Sequence, residues 1–226
     1  MIIQHNIAAI NSYRNLGVNQ SGLNKNLEKL SSGYRINRAG DDAAGLAISE
    51  KMRSQINGLN QATKNAQDAI GLIQTVEGAL TETHSMLQRL TTLASQSANG
   101  TYNTVARGNL DQEVQDLLKE IDRIADNTDF NGIKPIAASG TGNMTFQIGP
   151  SSGETLLLNA SNMTSTSIGV KSIDVTDRAG ANSAIDTIKA AIDKVSSYRA
   201  TLGAAQNRLE HTVNNLKVSS ENITAA

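Results

Sequence analysis

The stretch from Ala43 to Ala98 constrains this 226-residue chain more than any other. It has no proline and is rich in Ala, Leu, Gln, Glu and Lys, residues that lose little on entering a helix. Apolar side chains return at helical steps, at Met52, Ile56, Leu59, Ala66, Ile70, Ile73, Leu80, Leu87, Leu90 and Ala94, which aligns them on one face. At 1.5 Å per residue such a helix is about 80 Å long. No ordinary globular domain buries it, and a periodic pattern so far beyond about 25 residues points to a coiled coil, a membrane span or a helical repeat. Charges at Glu50, Lys51, Arg53, Lys64, Asp68, Glu77, Glu82 and Arg89 exclude the span. The remaining reading is a rod that packs along other rods.

The rest of the chain supplies candidate neighbours. Residues 3–30 place Ile7, Ile10, Leu16, Leu23, Leu27 and Leu30 near one face among many asparagines. A lone helix of this kind is marginal in water and needs a partner. Asn109–Ala125 is a second strong helix with Leu110, Val114, Leu117, Leu118, Ile121 and Ile124 on its apolar face. The short connection before it sets it antiparallel to the end of the long helix. Residues 126–180 hold both prolines, Pro135 and Pro150. There MTFQIG (Met144–Gly149) and ETLLLNA (Glu154–Ala160), with Pro150-Ser151-Ser152-Gly153 between them, read as a hairpin. Ile168–Val170 and Ser172–Val175 are expected to add a short strand. From Ala181 the helical period resumes through Ile185, Ile188, Ile192, Val195, Leu202, Leu209 and Leu216. The last residues, Val218–Ala226, carry no helix-stop signal. This leads to the expectation of a further helix pairing with residues 3–30.

The expected fold is therefore mainly α: an elongated antiparallel helical rod or coiled-coil bundle with a small β-hairpin insert. Residues 1–42 form a terminal-helix segment with its connection. Residues 43–226 form the rod: helix 43–98, helix 109–125, hairpin region 126–180 and returning helix 181–226.

Composition narrows the chemistry. The net charge of −1 argues against an electrostatic nucleic-acid binder. The absence of cysteine removes disulfides, thiol catalysis and thiolate metal sites. The N-terminus has no basic leader before an unbroken apolar core, so it does not read as a cleavable secretory signal. His5, His84 and His211 are far apart in sequence. His84 and His211 could meet across antiparallel helices, yet without a carboxylate partner they read as seam residues. Asp41 and Asp42, among Gly33, Gly40 and Gly45, read as a helix cap with local ion pairs to Arg35 and Arg38, in preference to a metal site. No GxSxG, P-loop, HExxH or GxGxxG pattern occurs. The expectation is a chain with no catalytic residue, no cofactor and no metal.

One resemblance is long and specific. LSSGYRINRAGDDAAGLAISEKMR (Leu30–Arg53) resembles bacterial flagellin. So do MIIQHNIAAINSYRNL at the start, QDAIGLIQTVEGALTETHSMLQRL, EIDRIADNTDFNG (Glu120–Gly132) and LGAAQNRLEHTVNNL (Leu202–Leu216). The resemblance implies a structural, non-enzymatic subunit of the extracellular flagellar filament. It implies terminal segments in an inner coiled coil, with long helices and a hairpin outside it. The variable outer domains of the family find no counterpart in so short an insert. Implied partners are other flagellin subunits, the flagellar type III export apparatus with its flagellin chaperones, and host Toll-like receptor 5; neither nucleic acid nor membrane is implied. The resemblance implies a receptor-binding set of Gln88, Arg89, Leu93 and Glu113: Gln88 opens the receptor-recognised segment, Arg89 and Leu93 match the family's key arginine and leucine by position, and Glu113 matches its key glutamate counting back from EIDR, while Thr91-Thr92 departs from the charged pair of well-known receptor-activating members. Arg35, Asn37, Asp41, Asp42 and Ile48 fall in the segment the family uses for subunit assembly. The alternative within the same export system is a hook–filament junction protein or another axial component.

Overall fold

The computed structural model describes residues 6–137 and 142–226. Five α-helices and two strands follow in order: α1 Ile7–Ser32, α2 Ala43–Ala98, α3 Thr104–Asn127, β1 Met144–Gln147, β2 Thr155–Leu158, α4 Ser165–Ile168 and α5 Arg178–Ala225. No described helix is long and apolar enough to cross a membrane. The chain divides into two compact units, residues 1–56 and 57–226.

In the first unit, the Asn6 side chain caps α1 by accepting from the Ala9 N–H at 3.1 Å. Gly33 ends the helix in the left-handed region, φ 72°, with its N–H on the Lys29 carbonyl. Only a residue without Cβ adopts that conformation freely. The expected helix over 3–30 is present from Ile7, and residues 3–5 lie outside the described ones. No residue of α1 is buried: Ile7 is 69% exposed and Leu30 is 80% exposed.

The second unit holds the core. From Leu59 onward α2 buries two stripes. One contains the expected Leu59, Ala66, Ile73, Leu80, Leu87, Leu90 and Ala94. The other adds Leu72, Val76, Thr83 and Leu93, because α2 is covered on two sides. Helix α5 runs antiparallel to it, with Glu77 beside Arg199 at 3.5 Å and Asn60 beside Ser220 at 3.4 Å. Helix α3 starts five residues before its expected Asn109, because the Asn103 side chain accepts from the Ala106 N–H at 2.8 Å. Helix α5 likewise starts at Arg178 behind an Asp177 cap.

The hairpin forms as expected, antiparallel, with Met144 opposite Leu158 and Gln147 opposite Thr155. A two-stranded sheet is marginal alone, and this one leans on α2. Leu156 and Leu158 are buried, and the Asn65 side-chain amide donates to the Gln147 carbonyl at 3.0 Å. Pro150 sits over Gly58, where a Cβ would come within 2.8 Å of the proline ring.

The additional strand expected around 168–175 is not present. Ile168, Val170, Ile173 and Val175 are indeed buried, but the backbone is bonded by side chains and not by a neighbouring strand. The Asp122 carboxylate accepts from the Ser165 N–H at 2.7 Å and the Ser165 hydroxyl at 2.8 Å. Gln115 donates to the Ile173 carbonyl at 3.4 Å, and Ser97 Oγ donates to the Val175 carbonyl at 2.5 Å. With its polar groups so satisfied, the segment needs no ladder.

Candidate functional site

No described group of three or more His, Cys, Asp or Glu could hold a metal ion. The antiparallel register also separates the histidines. Pairing of 77 with 199 and of 60 with 220 sets His211 level with the region near residue 67 of α2, about 17 residues or roughly 25 Å from His84. His84 and His211, which antiparallel helices could have brought together, do not meet; His5 lies outside the described residues.

Two sets of sequence-expected residues remain. The first lies where α3 turns back along the end of α2. The turn is fixed by Arg107, whose Nε donates to the Ser97 carbonyl at 2.9 Å and Nη2 to the Asn99 carbonyl at 3.1 Å. The Ser97 carbonyl is one that the last turn of α2 would otherwise leave without a helical partner. About two turns of helix inward, Arg89 reaches across to Glu113, with Nε at 2.8 Å and Nη2 at 2.7 Å from the same carboxylate oxygen. Both side chains stay about half in solvent, 52% and 42% exposed. Gln88 is exposed, its Nε2 3.0 Å from His84 Nε2. The Thr91 and Thr92 hydroxyls donate back to the Leu87 and Gln88 carbonyls, at 3.0 and 3.1 Å.

Leu93 differs from the expectation. The resemblance groups it with Arg89 as a receptor contact, but it is 0% exposed, within the core cluster that contains Leu90, Val114 and Leu118. Four residues on a helix turn about 400°, and with α3 packed against α2 that small offset carries Leu93 under the surface. It has no surface of its own to offer.

The second set belongs to the first unit. Asp42 caps α2 by accepting from the Gly45 N–H at 2.9 Å, as expected. A Cβ on Gly45 would fall 2.5 Å from the Asp42 carboxylate. Asp41 accepts from the Asn37 N–H at 3.4 Å. The expected ion pairs of Arg35 and Arg38 with these aspartates do not form. Arg38 pairs with Glu28 of α1 at 2.8 Å. That hydrogen bond, reinforced by the Glu28 charge and more weakly by Asp41, raises its pKa further. Arg35 takes part in no ion pair among the described residues. Ile48 is 56% exposed, and the Asn37 side-chain nitrogen is enclosed without a partner.

Sequence reasoning missed three anchoring groups: Arg107, Asp122 and Tyr198. Tyr198 on α5 is buried, and its hydroxyl donates to the Asn159 carbonyl at 3.3 Å. Burial raises its pKa, and an opposing hydrogen bond from the Ser161 backbone does not offset this. Only the asparagine, aspartate and arginine residues near turn signals hinted at the first two.

The bacterial flagellin N-terminal helical region matches residues 3–141, and the bacterial flagellin C-terminal helical region matches residues 185–226. The flagellin of Halalkalibacterium halodurans is 51% identical over 228 aligned residues, covering all of this chain and 84% of its own length. The Bacillus subtilis flagellin is 46% identical over 259 aligned residues, covering all of this chain and 85% of its own. The crystal structure of Bacillus cereus flagellin superposes with a TM-score of 0.62 at 36% identity, covering 68% of this chain and 88% of that one. Long helices, a single hairpin and both terminal family regions agree: the chain belongs to the bacterial flagellin family, the structural subunits of the motility filament.

Proposed function

We propose that this filament subunit carries out two recognition tasks with the two residue sets described above. The first unit is an assembly segment. Its apolar side chains at Ile7, Ile10, Leu16, Leu23, Leu27 and Leu30 are exposed, and a stripe of that size in water favours association with other flagellin subunits. Arg35, Asn37, Asp41, Asp42 and Ile48 shape the connection that presents it. Export through the flagellar type III apparatus, with flagellin chaperones and without a cleaved leader, and an extracellular location complete this reading.

The second task is recognition by host Toll-like receptor 5 at Gln88, Arg89 and Glu113. The observation that carries it is the Arg89–Glu113 pair, bridging two rigid helices over a closed core while remaining half exposed. A planar guanidinium held in place by one carboxylate oxygen keeps further donors for a partner, and such anchors dominate interface energies. The pair itself adds little to folding, about 0–1 kcal/mol for an exposed ion pair. Arg89→Ala is therefore expected to leave the melting temperature nearly unchanged and to weaken receptor signalling about tenfold or more in a reporter-cell assay. Unaltered signalling potency with intact folding would remove Arg89 from the interface.

A further inference from the structure

The sequence contains three Asn-Gly dipeptides, Asn57-Gly58, Asn99-Gly100 and Asn131-Gly132. In each, the glycine amide nitrogen can attack the preceding side-chain amide, because no Cβ hinders the approach. The fold treats them very differently. Asn57 and Gly58 lie inside α2, with the glycine nitrogen in the helical ladder and Pro150 packed against Gly58. Asn131 and Gly132 sit in a tight turn closed by reciprocal bonds between Phe130 and Ile133, at 2.9 and 3.1 Å. There the Gly132 N–H is held by Asp129 Oδ1 at 3.0 Å, and Asn131 is locked at φ 53°. Asn99 and Gly100 follow the last residue of α2, and both are exposed. The Gly100 N–H has no hydrogen bond to a described residue. The Asn99 side chain folds forward over its own following peptide, with Oδ1 accepting from the Thr101 N–H at 3.3 Å. That donor faces the oxygen on which negative charge builds when the carbonyl is attacked.

We infer that Asn99 is a self-modifying site of the folded chain, converted by succinimide formation to aspartate and isoaspartate ahead of Asn57 and Asn131. The Gly100 nitrogen loses its proton to solvent and bonds to Asn99 Cγ. The bond from Cγ to the side-chain nitrogen breaks, that nitrogen takes a proton back from solvent, and ammonia leaves. Water then opens the imide at either carbonyl. In isoaspartate the former main-chain carbonyl of Asn99, which Arg107 holds at 3.1 Å, becomes the free carboxylate. Isoaspartate also adds a methylene to the main chain where α2 turns into α3.

The test ages the purified chain at mildly alkaline pH, folded and in denaturant, and follows all three sites by peptide mass spectrometry and by labelling with an isoaspartyl methyltransferase. In denaturant the three react at similar rates. In the folded chain Asn99 leads the other two by about tenfold or more. Gly100→Ala abolishes that lead with folding intact, because Gly100 is not in the left-handed region and a Cβ there meets nothing within 4 Å. Folded-chain rates at Asn57 or Asn131 equal to that at Asn99 would overturn the inference, as would an Asn99 rate unchanged by Gly100→Ala.

Discussion

Among single residues, Arg89 and Leu93 occupy neighbouring turns of α2 and do different physical work. Arg89 lies over the surface, paired to Glu113; Leu93 is wholly enclosed. Removing a fully buried leucine side chain costs the lost transfer energy and a residual cavity, about 2–5 kcal/mol. Leu93→Ala should therefore lower the urea midpoint clearly, whereas Arg89→Ala should barely move it. A Leu93→Ala chain as stable as the parent would contradict its place in the core. Asp122 offers a second contrast. Its carboxylate accepts two hydrogen bonds from Ser165, so Asp122→Ala leaves a partly buried N–H and hydroxyl unpaired and should cost about 1–3 kcal/mol. Chemical denaturation measures this directly, and Ser165→Ala in the same background should add less than it does alone, since the two share one interaction.

For individual elements, periodicity was the most legible signal. The 43–98 helix has the bounds read from its pattern, because an apolar stripe of about twelve turns, from Met52 to Ala94, leaves no competing structure. Its second stripe, through Leu72, Val76 and Leu93, was hidden, since single-face periodicity does not reveal how many neighbours a helix has. Helix starts at Thr104 and Arg178 were read late because the caps, Asn103 and Asp177, stand in stretches rich in turn residues. The strand expected at 168–175 failed for another reason: its apolar alternation is real, but Gln115 and Ser97 bond the Ile173 and Val175 carbonyls that a ladder would have paired. Tyr198 shows how α5 is tied to the loop after β2. Its buried phenol has a raised pKa, so the stability it confers is complete below the unfolded value of about 10 and is lost as pH climbs above that value. Melting curves taken across that range should fall more steeply for the parent chain than for Tyr198→Phe. Identical alkaline profiles would contradict the assignment.

Across the whole molecule, the receptor-type residues were legible only through the family resemblance. Nothing in composition distinguishes Arg89 from Arg123, which pairs along its own helix with Glu120. What separates them is that Arg89 joins two helices while Arg123 decorates one. The division into units was partly legible: the boundary expected near residue 42 lies at a real break in the helices, but compactness changes further on, after Ile56. The reason is that the first sixteen residues of α2 bury nothing, and burial begins at Leu59. The account's central claim is that residues 57–226 carry a self-sufficient core while α1 has none. Amide hydrogen exchange on the monomeric chain tests it most directly. The account predicts strong protection across 59–98, 110–125 and 181–216, with exchange at close to unfolded rates throughout 7–32, because an unpartnered helix is only marginally stable. Amides of α1 as slow as those at the centre of α2 would contradict it.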